Sequence, residues 1–352
     1  MARAWAFGWL LAVLISAGSV HAEVSADRLR TLSRGVNLTT AMDQRPLARV
    51  QADLAGIRRA GFRHIRIFVD PDRLAGDANR QYAPYRQRLD AVVRSAIGDG
   101  LGVILCMAPR ETWTDTSPEA VERLWVQAWT DLSRHFAATA PDKLFFELAN
   151  EPGFSDGTRW ARIQETLRRA VRAHAPAHTL LLTASPTSTA AALTGLAPSM
   201  DQNVVYVFHL YQPMVFTHQG ADWPGAAEYH DFAGLTYPPD AENIAEIARH
   251  ADPARLERYA RIGGEMMARE VGDVAAWAGA HHVPVSVTEF GVFRRAPPAS
   301  RAAWLGEARH RLEAASFGWT LWEYEGGFGI KPELARGCGP IPAALGLCRE
   351  TG

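Results

Sequence analysis

The sequence predicts a (β/α)8 barrel as a single folded domain. Short β-rich runs alternate along the chain with longer amphipathic stretches, and this pattern is typical of parallel strands joined by crossover helices. Eight such runs can be counted. A length of 352 residues suits a barrel, since barrels of this class span about 200 to more than 400 residues. No G-x-G-x-x-G follows the first run, which argues against an open dinucleotide-binding sheet.

The eight predicted strands are short runs enriched in β-branched, aliphatic and aromatic residues. They cover residues 33–39, 64–70, 102–108, 144–151, 179–185, 204–211, 283–290 and 317–324. Helical periodicity between them predicts helices over residues 47–60, 85–99, 118–138, 158–174, 264–280 and 300–315. Two stretches exceed a minimal barrel: 212–263, a long excursion after strand six, and 326–352, which we expect to be irregular.

The N-terminus has the features of a secretory signal peptide over residues 1–22. Arg3 gives a positive start, residues 4–15 form an apolar run of twelve, and Val20 and Ala22 occupy the small-residue positions of a cleavage site. A retained N-terminal anchor is the alternative. The run is too short to span a membrane, so we expect a secreted or periplasmic domain over residues 23–352.

Charge and cysteine content narrow the class of protein further. With 37 basic and 38 acidic residues and no basic stripe, the chain is not expected to bind nucleic acid or an anionic membrane. Cys338 and Cys348 lie ten residues apart and suggest a disulfide in an oxidising compartment. Cys106, inside an apolar run, is interpreted as a buried hydrophobe. The histidines and cysteines lack metal-ligand spacing, so no metal or other cofactor is expected.

Carboxylates end two of the predicted strands. Strand four finishes in Asn150-Glu151-Pro152, and strand seven finishes in Glu289-Phe290-Gly291. Barrel enzymes keep their catalytic groups at these C-terminal edges. Two carboxylates across one barrel mouth suit glycosidic cleavage, in which a protonated carboxyl protonates the leaving oxygen and an ionised one attacks the anomeric carbon.

Six motifs resemble stations of glycoside hydrolase family 5, in the right order and over the mature chain to about residue 330. They are RGVNL at 34–38, HIRIF at 64–68, FFELANEPG at 145–153, VFHLY at 207–211, VTEFG at 287–291 and LWEY at 321–324. The resemblance implies a retaining β-glycosidase with Glu151 as acid/base and Glu289 as nucleophile. We then expect carboxyl groups roughly 5–5.5 Å apart, a raised pKa for Glu151 and a depressed pKa for Glu289.

The resemblance also implies roles for residues around the pair. Asn150 would bind the sugar 2-hydroxyl, Arg66 would keep the nucleophile ionised, and Tyr211 would hydrogen-bond it. His209 would line the subsite of the reacting sugar, and Trp322 would be its stacking platform. Strand parity places Glu147 inside the barrel below Glu151, where Arg66 is its expected partner.

Other aromatic and acidic residues are open to two interpretations. Trp113, and Trp223 with His218, either form outer sugar subsites or anchor loops. Glu325 is expected to face the cleft and Glu323 to pack outside the barrel. Within the long excursion, residues 212–240 are expected to cover one side of the cleft with five aromatic or imidazole side chains: Phe216, His218, Trp223, Tyr229 and Tyr237. Residues 241–262 read as helical, and helical positions predict that Trp125, Trp129 and Trp160 belong to the core.

The leading hypothesis for function is hydrolysis of a β-linked polysaccharide, in particular an endo-acting cleavage of β-1,4-glucan, by a monomer. Many members of the family carry a histidine near the end of strand three, where this chain has Cys106-Met107-Ala108. The substrate is therefore less determined than the mechanism. Mannan or an exopolysaccharide is the alternative substrate, and a non-catalytic carbohydrate-binding barrel is the alternative class.

Overall fold

The computed structural model describes residues 23–75, 83–108 and 117–348. Eight parallel strands form a closed barrel in chain order, with the last strand paired to the first. The predicted barrel and all eight strands are confirmed, with shorter ends. The strands are β1 (Arg34–Asn37), β2 (His64–Val69), β3 (Gly102–Met107), β4 (Leu144–Glu147), β5 (Leu180–Thr183), β6 (Val204–Leu210), β7 (Val285–Phe290) and β8 (Gly318–Leu321).

Helices follow the strands, as parallel pairing requires. They are α1 (Ala26–Thr31), α2 (Leu47–Ala60), α3 (Ala83–Gly98), α4 (Pro118–His135), α5 (Gly157–Arg172), α6 (Ala190–Thr194), α7 (Met214–Thr217), α8 (Ala241–Ile247), α9 (Pro253–His281), α10 (Pro298–Ala314), α11 (Lys331–Ala335) and α12 (Pro340–Ala344). Short 3-10 turns cover Pro71–Arg73 and Ala227–Phe232.

Two helical segments differ from the sequence prediction. Helix α9 begins at Pro253 rather than at 264, because Asp252 caps it and proline occupies its first position. The tail is not irregular: α12 packs against α10. The Cys338–Cys348 disulfide closes the tail around α12.

The barrel interior changes from apolar to polar along its axis. A cluster of buried side chains, among them Ile104, Phe145 and Leu181, lies on the inward parity of the strands. One step closer to the C-terminal edge, the same parity carries Cys106 and Glu147. The predicted core tryptophans Trp125, Trp129 and Trp160 are fully buried between barrel and helices. The barrel interior therefore has an apolar layer and, nearer the C-terminal mouth, a polar layer.

The region predicted as a signal peptide, residues 1–22, lies outside the described residues. Within the part that is described, no helix combines the length and apolar character needed to cross a membrane.

Candidate active site

Glu151 and Glu289 meet at the C-terminal mouth of the barrel. Glu289 is the fifth residue of β7, and Glu151 lies four residues beyond the end of β4. An oxygen of each, together with a ring nitrogen of His209, lies within 4.8 Å of the others. This is closer than the roughly 6.5–9.5 Å between carboxyl groups of inverting glycosidases. The close approach of the two carboxyl groups that the sequence predicts is therefore present.

Arg66 joins the nucleophile candidate to the barrel interior. Its guanidinium is fully buried. It donates from Nη1 to Oε1 of Glu289 at 2.9 Å, and from Nε and Nη2 to the two oxygens of Glu147 at 2.6 and 2.9 Å. Both contacts agree with the sequence prediction. Each of the two buried carboxylates therefore has the Arg66 guanidinium as its charge partner.

The remaining Arg66 hydrogen bonds reach β1, β3 and the loop that follows β4. Nη1 donates to Oδ1 of Asn37 at 2.9 Å, and Nη2 donates to Oδ1 of Asn150 at 2.7 Å and to Sγ of Cys106 at 3.2 Å. Since Oδ1 of Asn150 accepts from Arg66, its amide nitrogen is the group left to donate to a ligand. Cys106 is buried as predicted, yet it contacts a guanidinium rather than only apolar atoms.

Asn37 is a site residue to which sequence reasoning assigned no role. Besides accepting from Arg66, its Nδ2 donates to the carbonyl oxygens of Thr288 and Leu321 at 3.0 and 3.2 Å. It therefore ties the nucleophile strand to the last strand. The signal was present: Asn37 is a polar residue ending β1 inside the RGVNL motif, as Glu289 is near the end of β7.

His209 and Tyr211 reach the two carboxylates from β6. The register between β6 and β7 shifts after Phe208, so that His209 lies opposite Glu289. Nδ1 of His209 is 2.8 Å from Oε1 of Glu151 and 3.6 Å from Oε2 of Glu289. The Tyr211 hydroxyl donates to Oε2 of Glu289 at 3.0 Å. The predicted Tyr211 contact is present, and His209 bridges the pair.

Titration of the pair differs from the sequence expectation. Burial alone would raise the pKa of Glu151, but the hydrogen bond and charge of His209 outweigh it and hold that pKa below its ordinary value. Burial raises the pKa of Glu289 against the opposing charges of His209 and Arg66. Burial lowers the pKa of His209, but the charges of Glu289 and Glu151 raise it above 6.5. The two directions are therefore opposite to the sequence expectation, because His209 acts on Glu151 and because Glu289 is the more deeply buried of the two.

Trp322 and the two acidic residues near it lie in the segment that follows β8. Trp322 is partly exposed and meets Phe68 edge-on at 5.9 Å. Glu323 is 8% exposed and accepts a hydrogen bond from Thr39 at 2.7 Å. Glu325 pairs with Arg45 at 2.7 Å and with Arg49 of α2 at 3.6 Å. The expectation for the two glutamates was therefore wrong: Glu323 lies at the mouth, and Glu325 turns toward α2.

The loop over residues 212–240 divides into buried and cleft-side residues. Phe216 and Tyr237 are buried and pack on each other at 5.2 Å, so they hold the loop together. His218 meets the Tyr211 ring at 5.0 Å, and Trp223 lies 6.1 Å from His218. The loop thus places His218 against Tyr211, which binds Glu289, and places Trp223 next to His218.

A cavity of about 660 Å³ opens between the loops that follow β6, β7 and β8. We call it the outer cavity. Its lining consists of three aromatic and five other residues: Trp223, Phe293, Phe328, Asp222, Arg294, Arg295, Glu323 and Gly327. Glu323 lines the outer cavity and lies near Glu289, since the negative charge of Glu289 contributes to raising the pKa of Glu323. The other predicted outer aromatic residue, Trp113, lies outside the described residues.

Within the described ranges, Glu151, His209 and Glu289 are the one group of three side chains that could approach a metal ion. Their ligand atoms already serve each other, Arg66 and Tyr211 in hydrogen bonds. Hydrogen bonds between protein groups therefore account for the close approach of these side chains.

Comparison with known proteins gives a family match over most of the chain. The model of the cellulase family, glycosyl hydrolase family 5, matches residues 24–326. Endoglucanase 3 of Fibrobacter succinogenes is 28% identical over 223 residues, which cover 59% of this chain and 33% of that protein. Endoglucanase C of Acetivibrio thermocellus is 24% identical over 290 residues, covering 78% of this chain and 83% of that protein. The match thus spans a third of the first relative and most of the second.

Solved structures share the fold. Endoglucanase Cel5A of Thermotoga maritima superposes with a TM-score of 0.72 at 23% identity, covering 91% of this chain and 98% of that one. The cellulose synthase subunit CcsZ of Clostridioides difficile gives a TM-score of 0.72 at 23% identity, covering 89% and 99%. At these identities, the superpositions support the barrel and not a substrate.

Proposed function

This chain belongs to the cellulase family, glycosyl hydrolase family 5, and on that premise we propose that it hydrolyses a β-linked polysaccharide, with β-1,4-glucan as the leading substrate. One observation carries the proposal: Glu289 is held by Arg66 and Tyr211 while an oxygen of Glu151 lies within 4.8 Å. Held in this way, one carboxylate can attack while the other delivers a proton.

In the first step, an oxygen of Glu289 attacks the anomeric carbon and the glycosidic carbon–oxygen bond breaks. The electron pair of that bond goes to the leaving oxygen, which takes a proton from Glu151. In the second step, the Glu151 carboxylate removes a proton from water, the water oxygen bonds to the anomeric carbon, and Glu289 leaves. The sugar keeps its β-configuration because each step inverts it once.

His209 supplies the proton that Glu151 needs as an acid. The raised pKa of His209 and the lowered pKa of Glu151 favour His209 as the holder of the proton before the substrate binds. The 2.8 Å hydrogen bond between them allows transfer to Glu151 as the leaving oxygen approaches. The proton therefore belongs to the pair, and the pair titrates as a unit.

Substrate contacts are assigned around this centre. The amide nitrogen of Asn150 donates to the sugar 2-hydroxyl, an interaction that strengthens as positive charge develops at the anomeric carbon. The partly exposed ring of Trp322 forms the platform of the reacting sugar. Trp223, with His218 and Trp113, contributes to outer subsites.

The polysaccharide itself is the least constrained part of the proposal. Mannan is the second candidate, because a solved neighbour, the Thermotoga maritima enzyme, is described in complex with mannotriose as well as with cellobiose. An exopolysaccharide is the third, since β3 ends in Cys106-Met107 rather than in the histidine of the family pattern.

Reducing-sugar release from a panel of neutral β-glucan, mannan and bacterial exopolysaccharides tests the proposal, with the Glu289→Gln variant as the blank. We expect release from β-1,4-glucan that the variant lacks. Release only from mannan or an exopolysaccharide would transfer the function to that substrate. Binding without release from any polymer would leave a carbohydrate-binding barrel.

We also propose that residues 1–22 direct export and are removed. The Cys338–Cys348 disulfide supports this, because disulfides persist in oxidising compartments. Mass spectrometry of the exported protein, with an N-terminus near Glu23, is the expected result.

A further inference from the structure

Arg301 is a buried arginine in the helix that follows β7. It lies in the first turn of α10 and is 3% exposed. Its Nε donates to the carbonyl oxygen of Val292 at 3.1 Å, and its Nη2 donates to those of Phe328 and Gly329 at 2.6 and 2.9 Å. Nη1 pairs with Glu333 at 2.9 Å, which balances the buried charge.

The backbone atoms that Arg301 binds belong to two catalytic loops. Val292 lies three residues after Glu289, and Phe328 lies six residues after Trp322. One planar guanidinium therefore joins the loop of the nucleophile strand to the loop of the platform strand. Only an arginine offers this many donors in a rigid fork.

The same two loops form the aromatic wall of the outer cavity. Phe293 follows Val292 directly and contacts Phe328 at 5.4 Å between ring centroids. Trp223 contacts Phe293 at 4.9 Å and Phe328 at 6.1 Å. The Trp223 ring thus packs on Phe328, whose carbonyl oxygen accepts from Arg301, and on Phe293, which directly follows the Arg301 acceptor Val292.

We propose that Arg301 is a positioning residue that fixes the aromatic wall of the outer cavity, and so determines affinity for the part of the polysaccharide beyond the reacting sugar. The inference rests on the proposed function. Arg301 touches no reacting atom, and Glu289 keeps its own hydrogen bonds from Arg66 and Tyr211. Loss of Arg301 should therefore affect binding of a long substrate more than bond cleavage in a short one.

Arg172 provides a matched control at the opposite end of the barrel. It is also a buried arginine, and it donates to the carbonyl oxygens of His178 and Asn203 while pairing with Asp201 at 2.6 Å. Its replacement removes a comparable set of hydrogen bonds without touching the catalytic loops. The kinetics of an Arg172 variant therefore show the effect of destabilisation alone.

The kinetic experiment compares Arg301→Gln, Arg301→Lys and Arg172→Gln on the polymer and on a small aryl β-glycoside. For Arg301→Gln we expect KM on the polymer to rise about tenfold, with kcat/KM on the aryl glycoside within about twofold of wild type. Arg301→Lys should rescue part of the loss, and Arg172→Gln should leave both KM values unchanged. Equal losses on both substrates, or the same split in Arg172→Gln, would reduce Arg301 to a structural role.

Limited trypsin digestion tests the inference without activity. Arg294 and Arg295 lie exposed in the loop that Arg301 holds, so a loosened loop exposes two cleavage sites. Mass spectrometry should find cleavage after these residues about tenfold faster in Arg301→Gln than in wild type, and unchanged in Arg172→Gln. Unaltered cleavage in Arg301→Gln and in Arg301→Lys would overturn the proposal. If wild type cleaves no polysaccharide, the proposed function fails while this result still decides the role of Arg301 in the loop.

Discussion

Arg66 donates hydrogen bonds to five side chains, and these come from four strand regions besides its own. It fixes Glu289, the proposed nucleophile, the acceptor oxygen of Asn150 and the buried Glu147 relative to one another. In the proposed mechanism, such preorganisation lowers the activation barrier because the groups need not reorganise as charge develops. These residues therefore form one hydrogen-bonded unit.

At the residue scale, replacing each glutamate by glutamine should change the kinetics in a different way. We expect Glu289→Gln to lower kcat by roughly a thousandfold or more on every substrate, because no covalent intermediate can form. Glu151→Gln should retain substantial activity on aryl glycosides with good leaving groups, which need no acid. Steady-state kinetics on 2,4-dinitrophenyl and unactivated glycosides checks this. The reverse pattern would exchange the two roles.

The pH profile should report the Glu151–His209 pair. Since the pKa of His209 is raised and that of Glu151 is lowered, the pair keeps its proton below the His209 pKa and loses it as pH rises through that pKa. Thus kcat/KM should fall on the alkaline side. In His209→Asn, Glu151 must hold the proton alone, and the alkaline limb should move to lower pH. An unmoved limb in that variant would exclude His209 as the proton store.

At the scale of elements, the register shift between β6 and β7 aligns His209 with Glu289, and the loop that follows β6 brings His218 and Trp223 to the mouth. Burial lowers the pKa of His218 to about 4, so its ring is neutral at any pH well above that value. A neutral imidazole can both donate and accept hydrogen bonds to sugar hydroxyls.

Trp223→Ala tests whether this loop binds sugar. If Trp223 stacks on an outer sugar unit, kcat/KM on polymer should fall about tenfold, or about 1.4 kcal/mol, while a small aryl glycoside is turned over normally. Tyr237→Phe, which alters a buried loop residue away from the outer cavity, is the control and should spare the polymer. Equal activity of Trp223→Ala on both substrates would leave the loop a structural role.

At the scale of the whole molecule, the barrel closes by pairing β8 with β1, and the tail then packs α12 against α10. Stability therefore involves the tail as well as the barrel. The double variant Cys338→Ser/Cys348→Ser should lose about 2–3 kcal/mol, the entropy of a closed loop of this length, and its Tm should fall by a few degrees. Calorimetry of that variant against wild type measures it, with activity at 25 °C as the control for native structure. An unchanged Tm would show that α12 is held by packing alone.

The sequence by itself determined the barrel and the order of its strands. Hydrophobic alternation fixes a strand locally, and strand parity fixes which side chains point inward, so Glu147 could be placed inside the barrel. Strand ends singled out Glu151 and Glu289, and the family resemblance supplied their expected roles and those of Arg66 and Tyr211. Helix ends were less secure, as α9 shows, because a capping signal can lie outside the periodic run.

Only the tertiary structure decided the contacts between loops and the pKa directions of the pair. His209 reaches Glu151 and Glu289 because of a register shift between β6 and β7. Its hydrogen bond and charge lower the pKa of Glu151, while burial raises the pKa of Glu289. Glu323 faces the mouth and Glu325 does not, because the chain leaves strand geometry after β8 and parity no longer applies. Arg301 acquires its role for the same reason: loop carbonyls have no sequence signature, and their partners depend on how the loops pack.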